Sequence, residues 1–247
     1  MAKQTGMGDN FYVDGVDLSG DINSFSRIGG GINTQDVTGI NKEAIERLGL
    51  LRDGGMAFVA YFNDATGQAH LNLRTLPTTD RIMTYCRSTT LGKPAASLNA
   101  KQLNYDGNRN NDGSLLFNSE GQANTFGLEW GEQLTAGKRT DSAATNGTGV
   151  DFSASSLFGL QAYLHVFAFT GTSATIKLQE SSDDAAVDPY ADVTGGGFTT
   201  VTASTKERIE TSRTLTVERW LRVVTTGTFS NLVFAVMVVK NTTSVVF

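Results

Sequence analysis

Residues 36–63 read DVTGINKEAIERLGLLRDGGMAFVAYFN. Residues 36–40 have the look of a strand. Asn41 can serve as an N-cap, accepting from the first unpaired amides of a helix. Glu43 and Glu46 follow near the positive end of the helix dipole. Ala44, Ile45 and Leu48 fall on one narrow apolar stripe, and Gly49 suits the left-handed position that ends a helix. The spacing predicts a short helix over 41–49. It is too short to stand alone and must pack on a sheet, so Leu48→Ala should cost about 2–4 kcal/mol. Gly54-Gly55 then turns into residues 56–62. Met56, Phe58, Ala60 and Phe62 line one face of that strand and Ala57, Val59 and Tyr61 the other, as in a strand between two covered layers.

Outward from this stretch the chain reads as β. On the N-terminal side, residues 1–9 form an arm, residues 10–16 and 21–28 two short strands, Gly29-Gly30-Gly31 a break and residues 32–35 a loop. On the C-terminal side, residues 63–79 are a long connection with a polar tip at 64–67. Strands follow at 81–87, 97–105, 114–123 and 125–129. Residues 136–151, AGKRTDSAATNGTGVD, are small and polar, a flexible linker by composition. From residue 155 the pattern is wholly β, with strands at 160–170, 174–180, 198–202, 207–210, 214–224 and 232–240, an antiparallel sandwich. Arg219 shares a face with Leu215, Val217, Leu221 and Val223 by alternation. It is either ion-paired or displaced by a bulge, and the reading favours the bulge. The expected organisation is a β domain over 1–135, a linker over 136–154 and an all-β sandwich over 155–247.

Composition excludes several classes of function. Hydrophobic residues make up 39% of the chain and charged ones 18%, enough apolar material for real cores, and 3 prolines against 27 glycines leave the turns to Gly, Asn and Asp. The net charge of −5 gives no basic footprint for neutralising phosphates. A mildly acidic wall would instead avoid sticking to DNA. The single cysteine, Cys86, rules out an internal disulfide framework and sits in a strand-like run, where a buried inert thiol is expected. The start, MAKQTGMGDNF, lacks the layout of a signal peptide, and no apolar run approaches about 18 residues. The expectation is folding in a cytoplasm without a membrane.

Catalytic patterns are missing. His70 and His165 with one cysteine cannot make a usual metal cluster, and both are expected to be structural. No nucleophile elbow, zinc-binding H-E-x-x-H or phosphate-binding loop occurs. No cofactor and no enzymatic activity are expected. Asp183, Asp184, Asp188 and Asp192 surround Pro189, as a calcium loop or, more simply, a solvated turn. Trp130 and Trp220 would stack a sugar if exposed and belong to the core otherwise. The Asn146 and Asn241 glycosylation patterns are read as coincidence.

Two sets of residues carry a resemblance. Asp36-Val37-Thr38, residues 41–48, Leu51-Arg52-Asp53-Gly54 and residues 56–63 follow one another as in the major tail (tail tube) proteins of long-tailed bacteriophages. Asp112-Gly113-Ser114, Phe117, Gln122, Gly127 and Trp130 resemble the strand pair that closes the tube domain in that family. The resemblance covers residues 10–135. It implies a β-sandwich or barrel with one short flanking helix, assembled as stacked rings, usually hexamers, each subunit lending strands to an inner barrel through which DNA passes. It implies a virion protein assembled in the host cytoplasm. Its partners would be itself, other tail proteins such as tape measure and terminator, and DNA in transit without specific binding. By the same resemblance Gly29, Gly30, Gly31, Asp64, the 29–35 and 63–79 loops and the arm are candidate contacts between subunits. Arg52 and Asp53 either lock neighbours together or merely cap helix and turn. Residues 155–247 would be an outer domain, decorating the tube or binding host surface glycan.

The alternative is a capsid decoration or carbohydrate-binding β-sandwich protein with its function in residues 155–247. A tube subunit polymerises through residues 1–135. A binding protein stays discrete and keeps its ligand without them.

Overall fold

Two very long antiparallel strand pairs organise the chain. The computed structural model describes residues 5–245. In the N-terminal half, β1 (Asn10–Val13) and β2 (Val16–Asp17) precede β3 (Ile22–Asp36) and β4 (Arg47–Tyr61), strands of fifteen residues each. There follow α1 (Ala69–Leu73), β5 (Arg81–Cys86), β6 (Pro94–Gln102), β7 (Asp106–Arg109), β8 (Leu115–Ala123) and β9 (Glu129–Gln133). β6 is the branch point. One edge pairs with β5, and the other is shared by β9 at Pro94–Ser97 and β8 at Ala100–Gln102. The sheet therefore wraps a core of Phe11, Val13, Met56, Phe58, Met83 and Leu98. Phe11 meets Phe58 edge-on at 4.8 Å.

The expected face of Met56, Phe58 and Ala60 is the one that is buried. Phe62, expected on that face, is 39% exposed, and on the opposite face Ala57 and Val59 are half-buried and Tyr61 is 46% exposed, so β4 is fully covered on one side only. Residues 41–49 are not helical. Val37 to Glu46 form the tip of the β3–β4 hairpin, and Arg47, Leu48 and Gly49 stand opposite Asp36, Gln35 and Thr34. The reason lies in the Asp36-Val37-Thr38 segment, the expected strand before the helix. The Asp36 carboxylate accepts from the Thr38 amide (2.9 Å) and hydroxyl (2.6 Å), and the Thr38 hydroxyl accepts from the Glu46 amide (2.9 Å). These bonds close the tip, and among the described residues no sheet covers Ile45 and Leu48, which stay 58% and 53% exposed. Lys42 and Glu46 still pair at 3.0 Å across the tip.

The short helix is α1, inside the connection expected to be irregular. It buries Ala69 and Leu73 in the core. Buried Asp21 fixes its start, accepting from the Ala69 amide and from the Asn63 side chain, both at 2.8 Å. Of the arm, residues 1–4 lie outside the described residues. Its far end is anchored, because Asp9 accepts from Tyr85, Arg87 and the Ser88 amide.

The C-terminal half comprises β10 (Arg139–Asp141), β11 (Thr145–Asn146), β12 (Val150–Asp151), β13 (Leu160–Ser181), β14 (Ala191–Gly197), β15 (Thr205–Glu210) and β16 (Trp220–Lys240). β13 and β16 pair along almost their whole lengths, with register slips around Gly171. A Cβ at Gly171 would stand 2.5 Å from Cα of Phe229, so glycine allows the close crossing there. What reads as separate strands at 160–170 and 174–180 is one strand. β15 covers its first part and β14 its second, and side chains from both parts share one core with β16. Residues 136–154 are not a free linker: β10, β11 and β12 pair with β16 in turn. Arg219 resolves as ion-paired, binding Asp151 at 2.6 Å just before β16 begins.

The halves are joined by β9, which pairs with β6 on one side and β16 on the other, and by a shared cluster of Tyr12, Ile82, Cys86, Ala95, Tyr163, Ala235 and Met237. β13 alternates across this junction. Leu160, Ala162, Leu164 and Val166 enter the C-terminal core, and His165, Tyr163 and Gln161 take the intervening positions.

Fully buried His165 is neutral. Its Nδ1 accepts from the Gly15 amide at 3.1 Å, so Nε2 carries the proton and donates to the Thr84 hydroxyl at 2.9 Å. Burial lowers its pKa from 6.5 to about 4; Asp14 opposes the shift and Lys206 adds to it. The unfolded chain thus takes up this proton near pH 6.5 and the folded chain only near pH 4. The stability tied to the neutral ring is whole above that window and is lost as the pH falls through it, by about 3 kcal/mol. Urea unfolding of the wild type and of His165→Gln on either side of the window should show this slope in the wild type and its reduction in the variant.

Candidate interaction surface

β8 pairs with β4 only from Gly55 to Tyr61. Beyond Gly55, β4 has only β3 beside it, and among the described residues no strand pairs with the outer edge of β3. Residues 31–52 therefore project as a two-stranded ribbon with both edges open. A lone hairpin of this kind is marginal in water, and open edges are templates for another chain.

The ribbon is also apolar where it should be wet. Ile40 and Leu51 are almost fully exposed (109% and 83%), and Ile32, Val37, Ile45, Leu48 and Leu50 are about half exposed or more. Leu50 and Leu51 fall where the β3–β4 register slips, between Gly49 and Arg52, and both are exposed, as is Leu48. Contiguous exposed apolar surface of this sort marks an interaction site.

Five of the six residues expected to make inter-subunit contacts come together at the root of this ribbon. Gly29, Gly30 and Gly31 lie in β3, not in a loop, opposite Gly55, Gly54 and Asp53, and Arg52 stands opposite Ile32. Asp64 is elsewhere, exposed in the turn before α1. The Asp53 carboxylate accepts from the Gly54 amide at 2.7 Å. The glycines admit a close neighbour. A Cβ at Gly54 would sit 2.6 Å from the backbone nitrogen of Leu128, and one at Gly30 would sit 3.0 Å from the Leu128 Cβ. Gly54→Ala should therefore cost about 1–3 kcal/mol through overpacking, read as a lower midpoint in a thermal melt, whereas Gly29→Ala, which meets nothing within 4 Å, should leave it nearly unchanged.

The histidines, the cysteine and the acidic loop weighed for chemistry are committed to structure. His70 hydrogen-bonds the Tyr105 hydroxyl at 3.1 Å, and Tyr105 stacks on Phe117 at 4.4 Å. Cys86 is buried, and burial pushes its thiol up to about 12. Asp183 accepts from the Val187 and Asp188 amides, Asp188 from the Ser182 amide, Asp184 from the Tyr190 hydroxyl and Asp192 from Lys177 and Gln179. The acidic loop is a set of self-capped turns, and among the described residues no group of three His, Cys, Asp or Glu could hold a metal ion. Trp220 is half-buried, and Trp130 is 51% exposed.

A buried charged network at the junction carries no sequence motif. The Glu129 carboxylate accepts from Tyr163 and from Arg208 Nη2 at 3.1 Å, and the Arg208 guanidinium lies 3.5 Å from the centre of the Phe126 ring. Arg208 also pairs with Glu210 at 2.7 Å. Burial raises the Tyr163 pKa well above its ordinary value, and the nearby Glu129 charge adds to that. The usable signal was the polar-tipped residue at every second position of residues 160–166, LQAYLHV.

No family model and no curated protein matches the sequence. Among solved structures the chain is similar to a chain of the virion of a native gene transfer agent particle, at 15% identity and TM-score 0.42, covering 52% of this chain and 98% of that one. It is similar to the SPP1 Dit (gp 19.1) protein, described as a hub adsorption apparatus in Gram-positive infecting phages, at 11% identity and TM-score 0.32, covering 94% and 99%. It is also similar to a chain of the phage P2 baseplate in its activated conformation, at 10% identity and TM-score 0.35, covering 95% and 99%. These likenesses are slight by both measures, and the functional reading rests on the hairpin instead.

Proposed function

We propose that the chain is a non-catalytic structural subunit of a phage tail. Copies close into rings, hexameric by the sequence resemblance, and the rings stack into a tube through which DNA passes. The observation that supports this reading is the β3–β4 ribbon, an apolar hairpin with two open edges that water alone does not support. A second copy alongside β3 continues the sheet and covers the ribbon, and ring closure removes the last open edge. The net charge of −5 suits a wall that lets DNA slide. Partners are other copies of the chain and neighbouring tail proteins such as tape measure and terminator, and the location is the virion tail.

Arg52 and Asp53 sit where the ribbon leaves the body, so they would meet the neighbouring subunit. Sedimentation velocity at rising concentration tests the reading. The wild type should form species heavier than a monomer, and Arg52→Glu should weaken their formation. Unchanged assembly of the charge-reversed chain would remove Arg52 from the contact.

A further inference from the structure

Along β13, three polar side chains face the junction between the halves. His165 and Tyr163 are paired as described. Gln161 is 1% exposed, yet neither its Nε2 nor its Oε1 has a hydrogen-bond partner among the described residues. A native fold seldom leaves a buried carboxamide wholly unpaired, so this one calls for a partner. Gln161 also lines a cleft of about 380 Å³ between the ribbon root and the end of β16, with Gly30, Gly31, Asp53, Trp130 and Lys240 among its walls. Its size is that of a small-molecule site.

We propose that this cleft binds a carbohydrate. Trp130 is half exposed, and its ring is braced edge-on by Tyr85 at 6.5 Å, so an indole face stands ready to stack on the C–H face of a sugar. A carboxamide needs an acceptor for its N–H and a donor for its C=O. Sugar hydroxyls are both at once, whereas an anion or a cation would satisfy only one half. Arg52 and Lys240 on the walls are balanced by Asp53 and Glu129, which suits a neutral polyol. A Cβ built at Gly31 meets nothing within 4 Å, so a ring can approach the backbone there. Residues of one chain line the cleft, so binding by the isolated chain tests it without ring assembly.

The test uses the full chain on an array of bacterial surface oligosaccharides, with Trp130→Ala and Gln161→Leu beside the wild type. The leucine is of similar size and removes the unpaired amide, so that variant should melt no lower than the wild type. The wild type should bind a subset of the glycans, and each variant should bind them about tenfold or more weakly. A wild type that binds no glycan, or variants that bind as it does, would overturn the proposal. So would a peptide from a displayed library that is held by the wild type and lost by both variants, with no glycan bound. Glycan binding without rings would sink only the assembly reading, and rings without glycan binding only this one.

Discussion

Replacing residues 33–51 with Asn-Gly should leave a chain that folds as before but no longer associates. The replacement joins Ile32 to Arg52, which already stand opposite each other, by a dipeptide that favours a tight hairpin turn. It removes Val37, Ile40, Ile45, Leu48, Leu50 and Leu51, none of which belongs to a core cluster. The thermal midpoint should hold, because the lost surface was wet in the isolated chain. Association should fall steeply. A buried aliphatic side chain contributes about 1.5–3 kcal/mol, so losing even two at an interface lowers the association constant about a hundredfold or more. Sedimentation and melting on the same samples separate the two effects. A variant that still assembles would move the interface elsewhere. The same geometry revises the expectation for Leu48→Ala: 53% exposed in β4, this residue should barely affect the isolated chain.

Arg208→Ala should be the most damaging single substitution, costing about 3–5 kcal/mol. Arg208 and Glu129 are both nearly inaccessible (7% and 3% side-chain exposure) and lie where the halves meet. Removing the guanidinium leaves the Glu129 carboxylate buried with only the Tyr163 hydroxyl, and strips the cation from the Phe126 ring. The double variant Glu129→Leu, Arg208→Leu should recover most of the loss, because no buried charge is then stranded. Denaturant unfolding of the wild type, the single and the double variant forms the comparison. A single variant as stable as the wild type would mean that water or a relaxed backbone solvates Glu129.

Much of the fold was legible. Apolar patterning located β8, the second half of β4 and parts of β13 and β16, each of the last two expected as two shorter strands, and the mainly β class with one short helix holds. The helix itself was misplaced. Asn41, Glu43, Glu46 and the Ile45 and Leu48 stripe satisfy every local rule for a helix, but a helix this short depends on a surface to pack on, and none is present at the end of the ribbon. The true helix at Ala69–Leu73 has no N-cap hydrogen bond from its own segment; its anchor is Asp21, far away in the chain. The glycines at 29–31 were legible as glycines but not as a strand; Gly30 is required by Leu128 and the Asp53 carbonyl close against it, contacts made far away in the chain or across the hairpin. The small polar residues of 136–154 read as flexible because short strands paired to a long neighbour need no hydrophobic pattern of their own. Arg52 and Asp53 are candidate contacts by motif alone, whereas the ribbon they root came only from register: where β8 stops pairing with β4 cannot be read from either strand alone.

The most direct test of the assembly account is negative-stain electron microscopy of the purified full chain at rising concentration. The account predicts rings or stacked hollow tubes that appear with concentration and vanish in the variant lacking residues 33–51. Discrete particles of monomer size at every concentration, in both proteins alike, would contradict it.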